Sequence, residues 1–189
     1  MSASPRVVRL IAGLAALAAG LAMAASQLLG FVFPTADDVA CNTGPSYAVN
    51  AVDLVKFTAI GIAIVMLARV ARGRLTRAGR SVAVIAAVAS IVTGVANGVE
   101  HCAHLEALGL LYVLGLVVSI FATAGFGVFL ARTGALPAWI GWVVTAGVLV
   151  FLLRAEQGGR EVYAIAWMVV GVGLLVGALR APHRDPRAQ

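Results

Sequence analysis

Charge is what this sequence has least of. Acidic and basic residues together make up 12% of its 189 residues, where a soluble domain carries about 25%, so a water-exposed globular fold is excluded. Lysine occurs once, at Lys56, and cysteine twice, at Cys41 and Cys102. With no Cys-x-x-Cys pair and no Cys-x-x-Cys-His run, thiol-oxidoreductase chemistry and c-type haem attachment have no foothold. Two of the three histidines lie three residues apart, and none in a second span would complete a bis-imidazole haem site. A serine, histidine and acid pattern, a glycine-rich phosphate loop and a metal-ligand set of strong spacing are also lacking. No cofactor and no catalytic residue is expected, and the chain is not expected to be an enzyme.

Long apolar runs are what the sequence has instead. A membrane-spanning helix needs about 20 mostly apolar residues, and six such stretches occur at about 7–33, 51–70, 81–99, 107–131, 138–153 and 162–179. The expected fold is therefore all-α: a polytopic membrane protein with a six-helix transmembrane bundle, one integral membrane domain over residues 1–189. The lipid bilayer is its first partner.

The net charge of +6 does not form a basic patch with interleaved aromatics, so no nucleic acid partner is expected. The arginines sort by membrane side. Arg6, Arg9, Arg69, Arg72, Arg74, Arg77, Arg80, Arg132, Arg180, Arg184 and Arg187 fall on one side, with only Arg154 and Arg160 on the other. The positive-inside rule then places both termini in the cytoplasm, with the loops after spans one, three and five extracytoplasmic in a cell-membrane protein. A competing reading treats Arg6, Arg9 and the small residues at Ala22-Met-Ala24 as a cleaved secretory signal, but the apolar run continues to Phe33. Thirteen arginines against one lysine, with abundant alanine and glycine, suggest a GC-rich bacterial coding sequence.

Span one is rich in alanine and glycine, a surface that admits a neighbouring helix closely. Gly94 and Gly98, and Gly173 and Gly177, have the Gly-x-x-x-Gly spacing and are expected to be packing points within the chain. Pro34, Gly44 and Pro45 argue against a continuous helix through the loop at 34–50. Between spans four and five, Leu136-Pro137-Ala-Trp139-Ile-Gly-Trp142 reads as a helix start with proline in the first turn and two tryptophans at the membrane interface. This turn, with the six-span layout, resembles several families of small bacterial multi-span membrane proteins of unknown function; the resemblance implies the architecture and no activity.

Polar chemistry concentrates on the outer side. Cys41 and Cys102 share it, and a disulfide between them is expected. Asn97-Gly-Val-Glu-His-Cys-Ala-His-Leu-Glu106 holds Glu100, His101, His104 and Glu106. If the third helix runs through this segment, Glu100 and His104 are i, i+4 and His101 and His104 are i, i+3. The favoured interpretation is a polar interfacial turn; no metal is assigned, because the segment lacks four ligands at recognisable spacing. Asp53 and Lys56, i, i+3 in span two, form the other unusual pair. Asp53 is expected to charge the helix start, with Lys56 about one and a half turns below the interface. The disulfide would draw Asp53 and Lys56 towards Glu100, His101 and Glu106 in an outward-facing pocket, rimmed by Arg154, Glu156, Arg160 and Glu161. Asn50 and Asn97 lie near the same level.

The function expected from this inventory is non-enzymatic: a membrane-complex subunit with a protein partner, or a protein that binds a small ligand of unknown identity in the outer pocket. The alternatives are a small transporter or channel, and a metal or redox membrane enzyme built on Glu100, His101 and His104. No self-similarity supports an inverted-repeat transporter.

Overall fold

A computed structural model of the chain describes residues 4–33, 41–103 and 105–180. The described residues are helical with no strand, in six helices: α1 Pro5–Val32, α2 Gly44–Val70, α3 Arg77–Ala103, α4 Gly109–Thr133, α5 Ala138–Arg154 and α6 Arg160–Arg180. Five spans, four of them formed by α1 to α4 and the fifth by 157–179 with most of α6, are long and apolar enough to cross a membrane. The remaining helix, α5, is apolar and 17 residues long, about 26 Å. A five-residue kink, Ala155–Gly159, joins it to α6, with Gln157 and Gly158 out of helical conformation and Gly158 at φ 88° turning the chain.

Each helix packs on its neighbours in sequence, and α6 returns to α1, so the six close into a ring. Small residues set the closing seam. A Cβ at Gly20 would lie 2.6 Å from the Ala164 carbonyl oxygen, which shows how nearly α1 and α6 touch. Of the four glycines at Gly-x-x-x-Gly spacing, Gly94 meets Phe57 and Gly173 lies under the Trp139 indole, whereas Gly98 and Gly177 face open space. Only one member of each pair packs within the chain.

The ring has two unlike ends. At one, Arg69, Arg72, Arg74, Arg77, Arg80 and Arg132 surround the two short connections, and Arg74 donates to the Gly134 carbonyl, tying them together. At the other lie Cys41 and Cys102, at disulfide distance with Cα atoms 4.6 Å apart. Ile64, Leu67, Phe126, Leu130, Ile140, Val144 and Val170 fill the interior of the arginine half, all but excluded from solvent. Outward faces are also apolar: Leu14, Leu21, Val84, Val88, Leu114, Phe121 and Val169 are exposed. Apolar surface all round is what a helix shows when lipid is its outer solvent.

Helix ends differ from the sequence expectation by four residues or more at three places: the start of α3 at the arginine end, at Arg77 and not near residue 81, and two at the disulfide end. Helix α2 begins at Gly44 and not near residue 51, because Gly44 and Pro45 occupy its first two positions, where a missing N–H costs nothing. Thr43 caps it: Ser46 N–H donates to Thr43 Oγ1 and Thr43 N–H donates to Ser46 Oγ. Helix α3 continues four residues past Val99 to Ala103, carrying Glu100, His101 and Cys102 on its last turn.

Candidate functional site

Below the disulfide end the ring is hollow. A cavity of about 340 Å³ opens there, lined by side chains from all six helices. Met23, Ser26 and Gln27 come from α1; Asn50, Asp53, Lys56, Phe57 and Ile60 from α2; Asn97 and His101 from α3. Helix α4 adds Tyr112, Leu116, Ser119 and Ile120, α5 adds Phe151, and α6 adds Arg160 and Tyr163. Phe57, Ile60, Leu116 and Ile120 give the lining its apolar part.

The early start of α2 decides where its ion pair sits. Asp53 is nine residues into the helix, about 14 Å along the axis, so it lies far from the helix start and charges no N-terminus. Lys56 is deeper by another turn. Its Nζ donates to Asp53 Oδ1 at 2.6 Å, and Ser26 Oγ of α1 donates to the same oxygen at 2.8 Å. The ammonium also rests over the Phe57 ring, 4.7 Å from its centroid, an arrangement that favours a desolvated cation. Solvent reaches 16% of the Lys56 side chain and 18% of Asp53, so the pair is largely desolvated where it lines the cavity.

A second polar chain crosses from α3 to the loop before α2. Asn97 Nδ2 donates to Asn50 Oδ1 at 3.3 Å, and Asn50 Nδ2 donates to the Ser46 carbonyl at 3.0 Å and to Cys41 Sγ at 3.4 Å. His101 Nδ1 lies 2.9 Å from the Asn97 carbonyl. A carbonyl can only accept, so Nδ1 carries a proton and Nε2 is the ring's other functional edge. The backbone N–H of Cys41 donates to the His101 carbonyl, so the disulfide, the histidine and both asparagines form one wall. Lower down, the hydroxyls of Ser90 and Ser119 lie 2.7 Å apart and join α3 to α4.

Of the residues predicted for the site, Asp53, Lys56 and His101 meet in the cavity. Glu100 does not. Its carboxylate turns to the first residue of α4, where a Cβ at Gly109 would lie 2.6 Å from Oε1, and Oε2 is buried with no hydrogen-bond partner among the described residues. His104 and the side chain of Glu106 lie outside the described residues, as does the side chain of Glu156. Of the expected rim, Arg160 lines the cavity, while Arg154 bonds to Gln157 instead. Among the described residues no three of His, Cys, Asp and Glu gather as a metal site.

Apart from Arg160, the wall residues from α1, α4 and α6 were not expected at the site from the sequence. Ser26 and Gln27 are the polar pair within an otherwise alanine-rich and leucine-rich helix, a signal that was available. Tyr112, Ser119 and Tyr163 give none, since each is an ordinary residue in an apolar run. Comparison of the chain with protein-family models, with curated proteins and with solved structures returns no match.

Proposed function

We propose that this chain is a six-span membrane protein with both termini in the cytoplasm, and that it binds a small amphiphilic molecule in a pocket open to the outer face. One observation carries the proposal: the cavity of about 340 Å³ sets the polar groups of Asp53, Lys56, Asn97 and Arg160 beside the apolar and aromatic side chains of Phe57, Ile60, Leu116 and Phe151. Small-molecule pockets of this size combine apolar surface with convergent polar groups, and here polar and apolar side chains share the lining. Helix α2 is 27 residues long, about 40 Å against a hydrocarbon core of about 30 Å, so centring it in the bilayer puts Asp53 roughly 8 Å below the interface. Polar groups held at that depth are costly and mark function by default.

The charge of the wall indicates the head group. Lys56 and Arg160 stand against Asp53 alone, so the charged side chains of the lining carry one positive charge in excess. An anionic head near Arg160, with an apolar body against Phe57, Ile120 and Phe151, complements this lining. The packed residues of the arginine half, Ile64, Leu67, Phe126 and Leu130 among them, favour a binding protein over a channel, because a conducting path would have to part them.

Trp167 reports on the site, because it stacks edge-on to the cavity residue Tyr163 with ring centroids 6.2 Å apart. In lipid nanodiscs, with Trp139 and Trp142 replaced by phenylalanine, short alkyl carboxylates or alkyl phosphates are expected to change Trp167 fluorescence saturably. Alkyl trimethylammonium of equal length should bind at least about tenfold more weakly. Leu116→Phe, which narrows the cavity, should abolish the response. Absence of saturable binding by either class would refute the proposal.

A further inference from the structure

We propose that the arginine end holds a second site, a groove between α1, α5 and α6 that binds the phosphate of one anionic phospholipid through Arg9. Its occupant and location are independent of the outer pocket. The groove is a cavity of about 160 Å³ lined by Arg9, Leu136, Pro137, Trp139, Gly173 and Gly177, among others. Its outer lip is the Leu136-Pro137-Ala-Trp139 turn, which the outer pocket leaves unused.

Three observations identify the occupant. Arg9 Nε is buried with no hydrogen-bond partner among the described residues, and a buried guanidinium N–H without an acceptor is costly. No acid is available to it among the described residues: Asp53, Glu100 and Glu161 all lie in the disulfide half, and the arginine end carries Arg69, Arg72, Arg74, Arg77, Arg80 and Arg132 besides. An anion from outside the described residues would satisfy it. Arg9 also lies four residues into a 28-residue helix, about 6 Å from its end, which is the level of the headgroup phosphates when α1 is centred in the bilayer.

The walls suit a lipid better than a free ion. Leu136, Ile140 and Leu174 are buried apolar side chains, and no atom lies within 4 Å of the space beside Gly177, so an acyl chain can follow the phosphate into the groove. Trp139 is 42% exposed with its ring against Gly173, and an indole in this position anchors at the interface beside a headgroup. Arginine pairs with a phosphate in a bidentate geometry that a lysine could not reproduce.

Native mass spectrometry of the full chain, exchanged from detergent into mixtures with phosphatidylglycerol or phosphatidylcholine, tests the site. One phosphatidylglycerol per chain should be retained preferentially, and Arg9→Gln should weaken its retention roughly tenfold. Gly177→Leu fills the groove without changing charge and raises helix propensity, so it should weaken retention as much while leaving the fold intact. Arg72→Gln, on the exposed loop, should leave retention unchanged. Equal loss with Arg72→Gln would mean diffuse attraction and would overturn the proposal. So would retention that survives both groove variants, or inorganic phosphate that competes as well as the lipid. If Arg9→Gln and Asp185→Asn lowered thermal stability equally with no change in lipid retention, the chain's own tail would be the counter-ion and the lipid site would be refuted.

Discussion

Asn97 on α3 donates its amide to the Asn50 carboxamide oxygen on α2 across 3.3 Å, inside a bundle whose outer faces are apolar. Both side chains are buried, at 8% and 7% exposure, so each depends on the other and on Ser46 and Cys41 for its bonds. Interhelical bonds of this kind average about 0.6 kcal/mol in membrane proteins, with a maximum near 1.7. A double-mutant cycle with Asn50→Leu and Asn97→Leu is expected to give a coupling in that range, read from unfolding in mixed micelles. Additive single effects would mean that the two amides do not support each other.

The Asp53 carboxylate makes a sharper case, because one oxygen receives both Lys56 and Ser26. Asp53→Asn leaves an ammonium that is mostly desolvated and has lost its counter-charge. The variant should be destabilised by about 2 kcal/mol, less than a fully buried pair would lose because water reaches both partners. Asp53→Asn with Lys56→Met should recover most of that loss, since removing both charges removes the desolvation cost. If the double variant were no better than Asp53→Asn alone, the pair would not be the cause.

Cys41 and Cys102 close a loop spanning 61 residues, and Asn50 bonds to the Cys41 sulfur. The chain-entropy model assigns such a loop about 4 kcal/mol in a soluble protein, and an unfolded chain already threaded through a membrane gains less. Replacing both cysteines with serine should lower stability by about 2 kcal/mol and weaken the proposed ligand binding in the cavity, since one wall of that cavity rests on the cysteine pair. Thermal denaturation with and without reductant measures the first effect. An unchanged midpoint would show that the wall stands without the bond.

Close helix approach can be tested by adding one methyl group. Gly20→Ala would press on the Ala164 carbonyl and on Met168, so it should force α1 and α6 apart and cost more than about 2 kcal/mol. Gly98→Ala meets nothing within 4 Å and should be neutral or stabilising by up to about 1 kcal/mol, the helix-propensity difference between alanine and glycine. Similar effects from the two variants would contradict the ring described here.

The helices were legible because apolar length is a strong signal. Their order in space was less so: nothing in any one segment says that α6 returns to α1, and without that closure Ser26, Gln27 and Tyr163 cannot be placed around Asp53. The start of α2 was obscured for a specific reason. Gly44-Pro45 reads as a break, and only the reciprocal Thr43 and Ser46 bonds show that these residues open a helix. That shift of seven residues moved Asp53 from the helix start into the bundle. The cysteine pair, by contrast, was readable from topology alone, since both residues fall on the same side of the arginine pattern. Glu100 was misplaced because side-chain direction on the last turn of α3 depends on where α4 begins.

Leu116 and Val117 are adjacent on α4 at nearly equal depth, about 10 Å from its first residue, yet Leu116 lines the cavity and Val117 is exposed on the outer face of the ring. In intact cells, a single cysteine at each position can be probed with a membrane-impermeant, negatively charged thiosulfonate, with both native cysteines held in their disulfide. Leu116→Cys is predicted to be labelled from outside and Val117→Cys to stay unlabelled, because one side chain meets water in the pocket and the other meets lipid. Labelling of neither, of both, or of Leu116→Cys only in inverted vesicles would contradict an outward-facing pocket that reaches into the membrane.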